Sequence, residues 1–116
     1  MKDKLRIILL YKKFVLKYLN YHLNFSKKQY YLKDLADRHL FSLLEDIYIV
    51  NELSKSGETL EKKRMLLGKI KYLNILLEVL VEFQVMSEKQ YKVLLIDLEN
   101  IYHCMIGWIK SEGRSN

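Results

Sequence analysis

The chain has no proline, one cysteine, and four glycines among 116 residues. Without proline, no helix need be broken by a missing N–H or a ring clash. The glycines, at 57, 68, 107 and 113, never cluster, so no phosphate-cradling loop is present. The lone Cys104 excludes an internal disulfide framework and fits a reducing, cytoplasmic setting. A cysteine nucleophile needs a base and a lowered pKa; Cys104, beside Met105, is expected to be a small buried side chain. The three histidines, His22, His39 and His103, lack the i,i+4 or CxxC company of a zinc site. Glu78 and Glu82 stand one turn apart, but no Glu-x-x-His accompanies them. No metal, no cofactor and no enzymatic activity are therefore expected.

Long apolar runs are missing too. Ile7–Tyr11 is cut by Lys12 and Lys13, and Leu73–Val85 by Glu78 and Glu82. Both fall short of the roughly 18–20 residues that cross a bilayer, so no membrane partner is expected. No small-residue cleavage site follows Ile7–Leu10, as a secretory signal would require.

What is present is helix grammar. Phe25-Ser26-Lys27-Lys28-Gln29-Tyr30 and Met86-Ser87-Glu88-Lys89-Gln90-Tyr91 share one pattern. Each offers a capping box, Ser26 with Gln29 and Ser87 with Gln90. Each also offers a possible staple, from Phe25 to Tyr30 and from Met86 to Tyr91. Periodicity predicts four helices, at about 3–21, 27–53, 58–84 and 88–111. The first carries Ile8, Tyr11, Val15, Tyr18 and either Leu19 or His22 at spacings of three and four. The second carries Leu32, Ala36, Leu40, Leu43 or Leu44, Ile47 and Val50. The third has Leu66, Ile70, Leu73, Leu77 and Leu80 in strict a/d order. The fourth has Tyr91, Leu94 or Leu95, Leu98, Ile101 or Tyr102, Met105 and Ile109. Ser54-Lys55-Ser56-Gly57 is the one flexible polar linker, with Ser56 or Thr59 to cap the third helix. Short connections make this an all-α, up-down-up-down four-helix bundle in one domain over 1–116. Gly68, inside the third helix, costs about 1 kcal/mol relative to alanine and is expected to admit a close helix crossing. Gly107-Trp108 is expected to admit a neighbouring helix, with Trp108 as a lid or an interface anchor.

A four-helix core uses about three positions in seven. Beyond that need stand Ile75, Leu76, Val79, Val81 and Phe83 on the third helix, Ile7, Leu10, Phe14, Leu16 and Leu23 in the first segment, and Ile106 and Trp108 on the fourth. Second apolar faces usually meet another protein surface, so self-association is expected.

The net charge is +6, and residues 1–30 hold eight basic side chains against Asp3, a balance of +7. The candidate nucleic-acid or partner-binding set is Lys2, Lys4, Arg6, Lys12, Lys13, Lys17, Lys27 and Lys28, with Lys62, Lys63, Arg64, Lys69 and Lys71 on the third helix. No helix-turn-helix, zinc-finger or RNP signature accompanies them. Binding would go to the phosphate backbone of RNA or DNA and depend strongly on salt. Predominance of lysine suits diffuse charge better than bidentate arginine readout. Equally, lysines can simply solubilise the wet face of an apolar helix.

Val85-Met86, followed by Ser87-Glu88-Lys89-Gln90-Tyr91 and then Gly107-Trp108-Ile109-Lys110-Ser111, resembles the accessory variability determinant (Avd) proteins of diversity-generating retroelements. It is also similar to the four-helix proteins encoded in intervening sequences of bacterial 23S ribosomal RNA genes. Phe25-Ser26-Lys27-Lys28-Gln29-Tyr30, with Leu32 and Leu35-Ala36, resembles the start of that family's second helix. The similarity spans roughly residues 5–111. The resemblance implies a barrel-like homopentamer with a positive surface. It implies a non-catalytic partner of the retroelement reverse transcriptase that engages template RNA and supports mutagenic homing. By position, the basic set it implies is Lys12, Lys13, Lys17, Lys27 and Lys28, with Lys110 closing the second motif. The chain departs from the family where arginines are common on the third helix: Asn74 and Glu78 stand there, and Leu80 replaces a small residue. The alternative is a structural or protein-interaction oligomer of the intervening-sequence type, without a reverse-transcriptase partner.

Overall fold

The computed structural model describes residues 2–53 and 59–114, with side chains over 6–53 and 59–111. The chain forms helices α1 (Lys2–Asn20), α2 (Tyr30–Leu53), α3 (Leu60–Glu82) and α4 (Glu88–Arg114). One 3₁₀ turn, Lys27–Gln29, leads into α2. Helix α1 packs on α2 and α4, and α3 on α2 and α4, so the four follow one another around the bundle in an up-down arrangement. The molecule measures 50 × 23 × 19 Å. No described helix is long and apolar enough to cross a membrane.

The apolar seams face inward as their spacing requires. Leu32, Ala36, Leu40, Leu43, Ile47 and Val50 of α2 are buried, as are Leu66, Ile70, Leu73, Leu77 and Leu80 of α3. In α4, Leu94, Leu98, Ile101 and Met105 join them, and Cys104 is buried outside any disulfide. The α1 seam lies one position away from the expected line at its start: Ile7 is fully buried and Ile8 only partly, with Tyr11, Phe14, Val15 and Tyr18 following. An aromatic pair explains the breadth of this face, since the Tyr11 and Phe14 rings lie 5.9 Å apart.

Helix ends differ from expectation where local hydrogen bonding decides them. At the second capping box, Ser87 Oγ accepts from the Gln90 N–H and Gln90 Oε1 accepts from the Ser87 N–H, each at 3.0 Å. Helix α4 then continues through Gly113 to Arg114 rather than ending at 111. One terminal glycine weakens such a helix by only about 1 kcal/mol. Helix α3 stops at Glu82 because Gln84 adopts a left-handed φ of 61°. The Gln84 N–H then reaches the Val81 carbonyl at 2.9 Å and the Val85 N–H the Leu80 carbonyl at 2.9 Å. This is a Schellman stop, and Leu80 and Val85 are both buried in the core beside it. The linker Ser54-Lys55-Ser56-Gly57 and its capping role lie outside the described residues. Thr59 is buried, and its carbonyl accepts from the Lys63 N–H at 2.9 Å.

Packing bears on three expectations, and the first is corrected. A Cβ on Gly68 would meet nothing within 4 Å, so no helix of the bundle crosses there. At the two expected staples, Tyr30 is 55% exposed while Phe25 packs partly against the core, and Met86 is buried with Tyr91 packed partly against the core. Trp108 is buried in the core cluster, which fits the lid of its two expected roles rather than the exposed anchor.

Candidate nucleic-acid interface

The basic side chains fall into three groups once the chain is folded. Arg6, Lys12 and Lys13 on α1, Lys27 and Lys28 on the 3₁₀ turn, Lys62, Arg64 and Lys71 on α3, and Lys110 on α4 are exposed. Lys17 and Lys69 already serve carboxylates. Lys63 lies inside the bundle. The side chain of Lys4 lies outside the described residues, as does that of Lys2.

Lys63 is 2% exposed, with Nζ 4.3 Å from the centre of the Trp108 ring. A cation over an indole face is attracted by the ring quadrupole. Here that contact joins the start of α3 to the last turns of α4, so Lys63 is withdrawn from the surface set. Lys17 Nζ stands 2.7 Å from Asp97 Oδ2, joining α1 to α4, and the Asp97 side chain is only 11% exposed. Lys69 pairs with Asp46 across α3 and α2. Lys71 is exposed but leans on Tyr102, with Nζ 5.5 Å from the ring centre.

The groups are also dispersed. Helices α1 and α3 are not neighbours in the bundle, so Lys12 and Lys13 lie diagonally across it from Arg64 and Lys71. Lys12, Lys13, Lys27 and Lys28 are exposed, and none is ion-paired among the described residues.

Two clusters gained definition only on folding. The Tyr91 hydroxyl donates to Asn74 Oδ1 at 2.8 Å and lies 3.3 Å from Glu78 Oε1. Asn74 Nδ2 lies 3.4 Å from that same carboxylate oxygen. Partial burial first, then the Glu78 charge, raises the Tyr91 hydroxyl above the ordinary tyrosine range. Asn74 and Glu78 of α3 are thus joined to Tyr91 of α4 in one contact. The second cluster links α2 and α3. His39 Nε2 meets the Lys69 carbonyl at 3.1 Å, and its ring stands edge-on to Tyr72 at 4.9 Å. Neither cluster is complete within one helix, because each joins residues from two. Among the described residues, no three His, Cys, Asp or Glu side chains are grouped to hold a metal ion.

Fold and surface together define a four-helix bundle that bears exposed lysines on the outside of α1 and at the turn into α2. Comparison with protein-family models, curated proteins and solved structures finds no match. The bundle is an architecture shared by many unrelated functions.

Proposed function

We propose that this chain is a non-catalytic, self-associating accessory protein that binds the backbone of RNA or cDNA and works beside a reverse transcriptase. This is the Avd-like role that the two quoted motifs suggest. The supporting observation is the open lysine set of Lys12, Lys13, Lys27 and Lys28, exposed and without ion pairs among the described residues. Lysines held this way release counterions from a polyanion on contact, with no need to read bases. Association multiplies the effect, because copies of one modest basic surface act together on a single strand. In the family, the ring has five copies.

The test is binding of a single-stranded RNA by fluorescence anisotropy across a salt series. Changing Lys12, Lys13, Lys27 and Lys28 to glutamate is expected to lower affinity at every sequence tested and to flatten the salt slope by about 0.7 per lost phosphate contact. Unchanged affinity and slope would remove this role. Lys17 is left intact, since its pairing with Asp97 makes it part of the fold. Co-purification with a reverse transcriptase encoded beside the gene tests the protein partner separately.

The Asn74–Glu78–Tyr91 contact favours a second reading. It places a carboxylate and neutral groups where the family carries cations. A structural oligomer without nucleic acid predicts no RNA retained at physiological salt.

A further inference from the structure

We propose that the cleft between the end of α1 and the start of α2 holds one unpaired guanine base of a bound nucleic-acid strand. The proposal deepens the nucleic-acid reading above and rests on it. The cleft measures about 270 Å³. Tyr18 of α1, Tyr21, His22 and Phe25 of the segment that follows, and Lys33 and Asp37 of α2 line it. Drug-sized ligands take about 300–1,000 Å³, so this space suits a single ring system. The Tyr21 N–H donates to the Tyr18 carbonyl at 3.1 Å as the chain leaves the end of α1. Tyr21 and Phe25 then pack only partly against the core and leave ring surface to the cleft.

Polar groups meet the cleft from both helices. Tyr18 is 4% exposed, and its hydroxyl has no hydrogen-bond partner among the described residues. An unmet buried hydroxyl carries a desolvation cost that a ligand acceptor can recover. Burial first, and then the charge of nearby Asp37, raises that hydroxyl above the ordinary tyrosine range, so the two groups face one space. Lys33 Nζ donates to Asp37 Oδ2 at 2.7 Å and holds the carboxylate in place. A carboxylate accepts at about four lone-pair positions, so this pairing leaves most of its capacity to a ligand. The ammonium likewise keeps donors beyond the one that Asp37 takes.

The occupant follows from this order of donors and acceptors. Guanine alone among the RNA bases presents two N–H donors side by side, at N1 and N2, with the O6 acceptor next to them. The Asp37 carboxylate matches the donor pair, and the Tyr18 hydroxyl or the Lys33 ammonium matches O6. Adenine and cytosine set a ring acceptor beside their amino group, and uracil flanks its donor with carbonyls. Each of these would turn a lone pair toward the carboxylate, and such unmatched polar groups reject the wrong partner. Unstacked bases of single strands are read by edge hydrogen bonds and by stacking on aromatic rings, which Tyr21 and Phe25 offer here. Lys27 follows Phe25 by two residues, at most about 7 Å of extended chain. The exposed Lys27 and Lys28 therefore stand beside the cleft, where the phosphates flanking a bound base would pass. Backbone charge brings the strand, and the cleft selects one base of it.

The experiment uses the full chain and two short oligouridylates, one of them carrying a single central guanine. By fluorescence anisotropy at moderate salt, the guanine strand is expected to bind about tenfold more tightly, within the range for one bidentate base contact. Replacing that guanine with hypoxanthine, which lacks the N2 amino group, is expected to remove most of the gain. Asp37→Asn is expected to erase the preference while leaving the all-uracil strand bound as before, and Tyr18→Phe to reduce it. Equal affinity for the two strands, a preference that survives Asp37→Asn, or indifference to hypoxanthine would each overturn the proposal. The hypoxanthine comparison needs only the native chain, so it decides even if a variant fails to fold. Salt-sensitive binding without a guanine preference would remove the cleft and leave the backbone role standing. If neither strand binds, the backbone role falls, and titration with guanosine 5′-monophosphate against uridine 5′-monophosphate decides the cleft. Shifted Tyr21 and Phe25 ring resonances with the first alone would support it, and no shift would overturn it.

Discussion

Tyr11 of α1 donates its buried hydroxyl to the Leu40 carbonyl of α2 at 2.6 Å. The bond joins two helices through the centre of the core, where both residues are fully enclosed. About two turns further along α1, the enclosed Tyr18 hydroxyl has no partner among the described residues. The same side chain thus does opposite things at two positions of one helix.

The pair predicts contrasting phenylalanine variants. Tyr11→Phe is expected to cost about 1 kcal/mol, the net worth of a buried hydrogen bond, and Tyr18→Phe to be neutral or stabilising. Burial raises both hydroxyls well above 10.0, with the Asp37 charge adding to the effect at Tyr18. Unfolded tyrosines ionise near that value, so above pH 10.0 the folded state binds more protons and stability falls as pH rises. The loss amounts to at most about 1.4 kcal/mol per pH unit for each tyrosine. Below that window these two groups contribute no slope. Urea melts from pH 8 to 11.5 check both points, and either variant should flatten the alkaline limb.

Lys17→Met is expected to destabilise by about 2 kcal/mol, whereas Lys12→Met is expected to change stability by less than about 0.5 kcal/mol. The first strands the nearly buried Asp97 carboxylate, which lies 2.7 Å from the ammonium. The second alters an exposed residue without an ion pair among the described residues. Thermal melts of both, with Lys17→Met/Asp97→Leu expected to recover part of the loss, test the assignment.

Gln84→Gly is expected to stabilise by about 1 kcal/mol. Gln84 holds a φ of 61°, which glycine adopts without the steric cost borne by an L side chain. Glycine also enlarges the freedom of the unfolded chain, which offsets part of the gain. Denaturant midpoints at constant slope would show the net effect, and a loss would mean that the glutamine side chain supports the turn.

Gly68→Ala is expected to stabilise the bundle by up to about 1 kcal/mol, since α3 gains helix propensity and the added methyl meets nothing within 4 Å. Chemical unfolding of the two chains measures this directly. A destabilised variant would show that another molecule approaches α3 at this glycine.

The bundle itself was legible because helical spacing is a local property. The a/d series from Leu66 to Leu80 and the α2 seam from Leu32 to Val50 turned inward as written. The second capping box formed from its own four residues. The candidate surface was legible only as a catalogue of lysines. Composition does not distinguish exposed Lys12 from Lys63, which lies beneath Trp108 some forty-five positions later. Spacing within α1 gives no sign that Lys17 faces an aspartate on α4. The outward row Tyr31, Leu35, Ile49 and Leu53 was written at helical intervals too, yet it stands out only once the inward seam of α2 is known.

The sequence by itself determined where helices form and which stripe of each is most apolar, since those follow from backbone capping and a 3.6-residue period. Only the tertiary structure decided which cations remain in water, which polar groups meet between helices, and which apolar rows stay uncovered. Those outcomes depend on the rotation of each helix against its neighbours, and that rotation is set by packing across residues far apart in the chain.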